Sequence, residues 1–491
     1  MQPEDLTSIL PEIIITLIAA AVLMVDAFGG RRTHRGLLGL IVAGSVVAIL
    51  VSVVLRADSG TAFGGMVLTD GYAVFFKVLF IAIAALSIVL AYAQSSEVPF
   101  AELSALILFA TVGMLLLGAT GDLITLYLGV ELTSIPVYVL VAIKRDRFRA
   151  TEGALKYFLL GAFASGVLLY GIAWLFGLTG TTNLANIALY VQSQGADNPW
   201  FLLGLGLLLV GLAFKVAAVP FHMWTPDAYQ GAPTPSTAFL AAGAKIGAMA
   251  GLLRVVVHGL EPWQDMVMPI VIAIAVASMI VGNFVAIWQQ DVKRLLAYSS
   301  IAHTGYMLVG IAVVHAHSEA GGLMRDAVAA VMFYAVVYAL MTLGAFAVTF
   351  AVERRTGGTD LENFQNLGRS SPLMAVAMAV FMISLTGIPP AAGFFGKLYL
   401  LQVAVNGGLT WVAVVLVLTS TVSAYYYLRV VVNMYMVDIQ PRLLPVPAST
   451  AIGAVVAIGM IGTLVLGIYP AGAVEWAQAA FEEAGKLANS P

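Results

Sequence analysis

AFLAAGAKIGAMAGLL, residues 238–253, sets the terms on which the rest of this chain is read. It is apolar or small at almost every position, yet Lys245 stands about ten residues from either end of the surrounding apolar run. A run of roughly 20 such residues is what a helix needs to cross the ~30 Å hydrocarbon core of a bilayer. A lysine at that depth costs about 2.5–3.5 kcal/mol on insertion scales, so it is rarely there without a task. Burial also disfavours the charged form, which lets an amine take and release a proton near neutral pH.

The whole chain has the same character. It holds 491 residues, 61% hydrophobic and only 10% charged, where soluble domains run at roughly 45–50% and about 25%. So little charge cannot cover a water-facing surface, and the solvent is mostly lipid. The net charge of −3 argues against nucleic acid or an acidic substrate. With no cysteine, disulfides, thiolate zinc sites and iron–sulfur clusters are excluded from this chain. There is no phosphate-cradling G-x-x-x-x-G-K and no G-x-G-x-x-G after a strand. The first apolar run comes after Glu4 and Asp5 and contains Glu12. A secretory signal has a basic leader instead, so a retained first span is expected.

Windows of spanning length number about fourteen, at 9–28, 37–55, 72–93, 103–120, 122–143, 154–178, 201–219, 236–257, 266–288, 295–314, 327–352, 373–400, 409–436 and 449–470. Lysine and arginine then orient the chain. With the N-terminus outside, the inward loops hold Arg31, Arg32, Arg35, Lys144, Arg145, Arg147, Arg149, Lys293, Arg294, Arg354, Arg355, Arg369 and Arg442. The outward loops and tail hold only Arg56, Arg325 and Lys486. One missed helix would scramble that bias. Both termini are therefore expected on the outer side.

The remaining bases fall inside spans. Lys77, Lys156, Arg254 and Arg429 lie near span ends, where a long side chain can snorkel to the headgroups. Lys215, Lys245 and Lys397 have no such excuse, and three of them together suggest a relay. Glu131, in DLITLYLGVELTSIPVYVLV, lies about nine residues inside the fifth span and reads as the carboxylate partner of a buried lysine. Otherwise it is a protonated helix–helix contact. His303, in LLAYSSIAHTGYMLVG, sits at similar depth in the tenth span, where imidazole can pass a proton between its nitrogens. His222 and His258 lie near breaks or ends, and His315 and His317 fall in an outward loop where solvation is the simpler reading than a metal.

Two spans read as broken. The seventh runs FKVAAVPFHMWTPDAYQGAPTP and the twelfth MISLTGIPPAAGFFGKLYL. Proline removes an N–H and clashes with the preceding turn. In lipid the freed carbonyls must be satisfied by protein or water, so such breaks line cavities. Spans 4–8 and 9–13 can also be laid over one another. Asp122 to Glu131 matches Arg294 to His303, with Tyr127 and Tyr298 close to register, and Lys215 to Lys245 resembles Lys397 to Arg429 in length. Five helices per unit place the halves in opposite senses, an inverted repeat of the kind ion-coupled transporters use.

At this point the residues resemble a known family. PFHMWTPDAYQGAPTPSTAFLAAGAK, from Pro220 to Lys245, is similar to the signature of the antiporter-like membrane subunits of respiratory complex I, the NADH-quinone oxidoreductase, and its TPDAYQGAPTP wording to their N branch. LPEIII, VELTSIPVYVL, SSIAHTGYML and TGIPPAAGFFGK agree along nearly the whole chain. The resemblance implies an all-α polytopic membrane protein of fourteen transmembrane helices, with two inverted five-helix repeats and discontinuous helices 7 and 12. It implies helices 1–3 in 1–100, a first repeat in 101–260, a second in 261–437, and helix 14 with the tail in 438–491. It further implies proton translocation through Glu131, Lys215, Lys245, His303 and Lys397, driven by electron transfer from NADH to quinone elsewhere in the complex. No cofactor is then expected on this chain. FMN, iron–sulfur clusters, NADH and quinone would belong to other subunits. The implied partners are the M and L subunits, small membrane subunits and the peripheral arm, in a bacterial plasma membrane. A cation/proton antiporter subunit and a passive scaffold are the other readings.

Overall fold

The computed structural model describes residues 3–29, 33–55, 60–144, 146–194, 198–259, 264–316, 321–437, 445–446 and 449–488. Of the residues singled out above, Arg31, Arg32, Arg56, Arg145, His317 and Arg442, and the side chains of Glu4, His315 and Lys486, lie outside that set.

Among the described residues, twelve helices are long and apolar enough to cross a membrane. Two shorter apolar helices, Pro199–Lys215 and Pro372–Thr386, are the first halves of the interrupted spans 7 and 12. Counted with them, the chain has the fourteen segments expected. Spans 1–6 are Leu10–Gly29, His34–Val54, Gly71–Tyr92, Phe100–Gly118, Leu123–Ala142 and Phe148–Thr179. Span 7 continues after its break as Thr225–Gly231, and span 8 comprises Thr234–Phe239, Leu240–Ala244 and Lys245–Gly259. Spans 9–11 are Gln264–Ala286, Val292–Ala316 and Gly321–Thr356. Span 12 resumes as Ala392–Asn406, and spans 13 and 14 are Thr410–Met436 and Thr450–Ile468. Spans 8, 10 and 11 are the most enclosed, about nine-tenths buried, whereas spans 1, 2 and 14 are only about a third buried. The centre of the bundle is thus protein and its flanks face the apolar surroundings.

Several details depart from the windows. Span 10 begins at Val292, so Lys293 and Arg294, read as loop, belong to its first turn. Lys293 is buried and donates to the Ala232 carbonyl at 2.5 Å. Between the spans and at the two ends lie elements that hydropathy does not reveal. They are a helix Pro3–Ser8, an antiparallel pair Gly60–Ala62 with Val67–Thr69, a helix Leu184–Gln194, and a last helix Ala471–Ala488. The strand pair turns through Phe63, Gly64 and Gly65, all at positive φ, a conformation glycine adopts without penalty.

Both breaks are built alike at their first end. In span 7, Ala217 takes φ +56° and the Ala218 N–H reaches back to Ala213. In span 12, Gly387 takes φ +88° and the Ile388 N–H reaches back to Ile383. A proline comes after each, Pro220 and Pro390, in a cis peptide. The exposed backbone is satisfied by neighbours, as a membrane interior demands. The Val216 carbonyl accepts from Thr304, the Phe214 carbonyl from Trp224, and the Val219 N–H donates to Ser278. In span 12 the Gly393 N–H donates to Ser384 Oγ, and a Cβ on Gly393 would stand 1.8 Å from the Ser384 carbonyl oxygen. Only glycine fits there.

Matching staples hold spans 5 and 10. Asp122 caps span 5 through the Ile124 N–H, accepts from Thr182 Oγ1, and its neighbour Leu123 donates to the Thr182 carbonyl. Asp291 caps span 10 through the Arg294 N–H, accepts from Thr359 Oγ1, and Val292 donates to the Thr359 carbonyl. Laying one aspartate on the other puts Glu131 on Ser300 and Ser134 on His303. That register differs by three residues from the match of Glu131 with His303 suggested by charge spacing. Charge spacing cannot see a cap.

Candidate functional site

Lys215 is the last residue before the break in span 7, and its ammonium is buried. It donates to Ser134 Oγ at 2.9 Å and to Tyr138 Oη at 3.3 Å. These hydroxyls stand three and seven residues after Glu131 on span 5, so all three share one helix face. The direct Glu131–Lys215 ion pair expected from the sequence is not formed. Among the described residues no carboxylate lies within salt-bridge distance of Lys215, and Glu131 Oε1 is buried without a hydrogen-bond partner. Ser134 and Tyr138, on the same face of span 5 as Glu131, meet the ammonium in its place.

Lys245 stands directly after one turn of π-helix, Leu240–Ala244. Such a bulge adds a residue to the turn, rotates the rest of the helix beyond it, and is found mostly at functional sites. It leaves Lys245 fully enclosed, with Nζ donating to Ser300 Oγ at 2.6 Å and lying 5.8 Å from the Tyr229 ring centre. A cavity of about 20 Å³ touches both Lys215 and Lys245, together with Ser134, Thr133, Tyr157 and Trp224. That is room for one water.

His303 is buried on span 10, with Nδ1 2.7 Å from Tyr334 Oη and Nε2 3.0 Å from Tyr427 Oη. Lys397, on the second half of span 12, turns back to the break. It donates to the carbonyls of Leu385 and Thr386, both at 2.9 Å, and to Ser420 Oγ at 2.8 Å. The lysine thereby satisfies the carbonyls that the break released. An open cavity of about 350 Å³ reaches Lys397 past Gly387, Phe394 and Ser420. The structure brings Lys215 and Lys245 to one cavity. It separates His303 from Lys397 by other side chains.

Two of the end-of-span bases do not snorkel. Lys77 is buried and pairs with buried Glu12 at 2.8 Å. Arg254 is buried against Asp70, stacks on the Tyr72 ring at 4.1 Å, and donates to the Gly118 carbonyl at 3.2 Å. Each reads as a membrane-facing base only because its acid is distant in sequence. Lys156 is half exposed and reaches Glu152 at 2.7 Å and Asp227 at 2.8 Å, while Arg294 holds the other oxygen of Asp227 at 2.6 Å. Arg429 donates to the carbonyls of Ile287 and Gln289 and so closes the C-terminal end of span 9. Sequence reasoning passed over Ser134, Ser300, Tyr334 and Tyr427. The signal for Ser134 and Ser300 was available, as hydroxyls at helical spacing from Glu131 and His303. Among the described residues no three His, Asp or Glu side chains could hold a metal ion together.

Known proteins fit this geometry. A family model described as "NADH:quinone oxidoreductase/Mrp antiporter, TM" matches residues 120–423. NADH-quinone oxidoreductase subunit N 1 of Solibacter usitatus is 42% identical over 482 residues, 97% of each chain. A chain of respiratory complex I from Thermus thermophilus superposes with a TM-score of 0.80 at 33% identity, over 96% of this chain and all of that one. A chain of the Mrp complex from Dietzia reaches a TM-score of 0.84 at 21% identity, over 100% of this chain and 98% of that one, a likeness in fold. With half the chain and more inside the family model and relatives matching end to end, this chain belongs to the subunit N family of NADH-quinone oxidoreductases.

Proposed function

We propose that this chain moves protons across the bacterial plasma membrane as part of an NADH-quinone oxidoreductase, along the row Glu131, Lys215, Lys245, His303 and Lys397. One observation carries the reading. Three lysines are buried in the middle of the bundle, held by neutral hydroxyls and carbonyls, whereas buried Lys77 and Arg254 are each held by an acid. An ammonium so held can become a neutral amine without stranding a carboxylate, which is what a relay group requires. Glu131 stabilises the protonated Lys215. Loosening their interaction hands a proton across the shared cavity to Lys245, and onward through His303 to Lys397.

Each proton moved against the field requires about 2.3 kcal/mol per 100 mV, so the energy comes from partner subunits. In this reading the flavin, iron–sulfur clusters, NADH and quinone are bound there, and the neighbours are the M and L subunits, small membrane subunits and the peripheral arm. Both termini face outward. Residues 101–260 and 261–437 act as two inverted five-helix units, after helices 1–3 in 1–100 and before helix 14 and its tail in 438–491. The matched staples of Asp122 and Asp291 support that division.

The test is Lys245→Ala in the intact complex. Proton translocation should fall at least tenfold with the complex assembled, and unchanged pumping would sink the relay. A cation/proton antiporter shares the fold, and sodium-dependent proton exchange by a complex lacking flavin and iron–sulfur subunits would favour it instead.

A further inference from the structure

His303 and Lys397 do not touch, and no acid or base lies between them in the relay. What lies between is a chain of buried neutral groups. His303 Nε2 is 3.0 Å from Tyr427 Oη. Tyr427 Oη also bonds to Ser299 Oγ, and its ring stands 4.3 Å from that of Tyr426. Tyr426 donates to Asn283 Oδ1 at 2.9 Å, and Asn283 Nδ2 donates to Tyr306 Oη at 3.0 Å. The Tyr306 ring lies 4.9 Å from Lys397 Nζ, which donates to Ser420 Oγ at 2.8 Å. The three tyrosines are fully enclosed, as is Asn283. Tyr425, their neighbour in sequence, points out of the bundle.

We propose that Tyr427, Tyr426 and Tyr306 conduct the proton between His303 and Lys397, and that Asn283 interrupts the path as a gate. The inference rests on the relay reading above and names its missing arm. A tyrosine hydroxyl both donates and accepts. It can take a proton on its oxygen while releasing its own, and so remain neutral. A proton leaving His303 for Tyr427 thus frees the Tyr427 hydrogen, which a turn of the hydroxyl carries to the neighbouring Tyr426. An amide cannot do this. Its oxygen accepts and its nitrogen donates, so passing a proton through it would require a high-energy tautomer. Asn283 therefore holds Tyr426 and Tyr306 in one array and keeps their hydroxyls from exchanging a proton directly. Rotation of that one side chain, or a single water beside it, joins the two halves and brings the proton to Tyr306, beside Lys397. Asn283 is a positioning residue here, and span 13 is a conducting element rather than packing.

The experiment uses the complete complex in sealed vesicles, driven by NADH and a quinone. Tyr427→Phe keeps the ring and removes the hydroxyl. The initial rate of proton transport should fall at least fivefold at unchanged abundance of the complex, and its solvent deuterium isotope effect should change. A structural role would move abundance without moving the isotope effect. Should that variant not assemble, Tyr426→Phe reads the same step. Asn283→Ser, which puts a hydroxyl in place of the amide, should raise the rate. An unchanged rate in Tyr427→Phe, or a block by Asn283→Ser as deep as that of Tyr427→Phe, would overturn the proposal. Lys245→Ala measured alongside separates the two levels. If it stops pumping and Tyr427→Phe does not, this arm is wrong and the relay stands. If neither does, the relay itself fails.

Discussion

Two sets of buried cations share this bundle and are held in opposite ways. Lys77 and Arg254 each face a buried carboxylate, Glu12 and Asp70. Lys215, Lys245 and Lys397 face hydroxyls and carbonyls. The first arrangement locks charge in place, because removing either partner strands the other in a low-dielectric interior. The second leaves the amine free to change its protonation state at modest expense. Both sets are equally enclosed, so burial alone does not mark a functional cation in a membrane. The acceptor separates these five, while Lys293, buried on the Ala232 carbonyl at the start of span 10, belongs to neither set.

Breaking a locked pair should have the largest effect. Arg254→Ala leaves Asp70 buried with no cation, held only by the Ala73 N–H, and should destabilise by about 3–5 kcal/mol. Thermal unfolding of the purified complex would show it, and loss of the subunit from the complex would accompany it. The double replacement Arg254→Met with Asp70→Leu should recover most of that stability. If it does not, the pair does more than fill space.

Lys245→Met goes the other way. It removes a buried ammonium and one hydrogen bond to Ser300, so stability should hold or rise slightly. Proton transport should nevertheless drop at least tenfold, about 1.4 kcal/mol in barrier terms. A melting loss comparable to that of Arg254→Ala would erase the distinction between the two sets.

The staples are smaller. Asp122→Ala and Asp291→Ala each remove a helix cap and a bond to a threonine, and should cost about 1 kcal/mol apiece. Matched losses in melting temperature would sharpen the equivalence of spans 5 and 10. Lys156→Ala should have the smallest effect of all. Its ion pairs with Glu152 and Asp227 are solvent-exposed, and such pairs contribute little, so no shift in melting should be measurable.

Much of this was legible without coordinates, and for identifiable reasons. Span positions can be read from hydropathy because a bilayer sets one length for every helix. The interruptions at Pro220 and Pro390 are legible because proline cannot donate to a helix. Lys215, Lys245, Lys397 and His303 announce themselves by their rarity in apolar surroundings. Partners were harder. Nothing local says that Lys77 meets Glu12, or that Arg254 meets Asp70, 184 residues away. Nor could spacing show that Glu131 stops short of Lys215, since Ser134 and Tyr138 reach it first.

By itself, then, the sequence determined an all-α membrane bundle, its span count, its two breaks and the row of ionisable groups, because each depends on composition over one helical length. The tertiary structure alone decided which cations are paired, how spans 5 and 10 match at Asp122 and Asp291, and which neutral side chains lie between His303 and Lys397. Those depend on contacts between helices far apart in the chain. The hydroxyl of Tyr427 carries no mark in the sequence until packing places it beside His303.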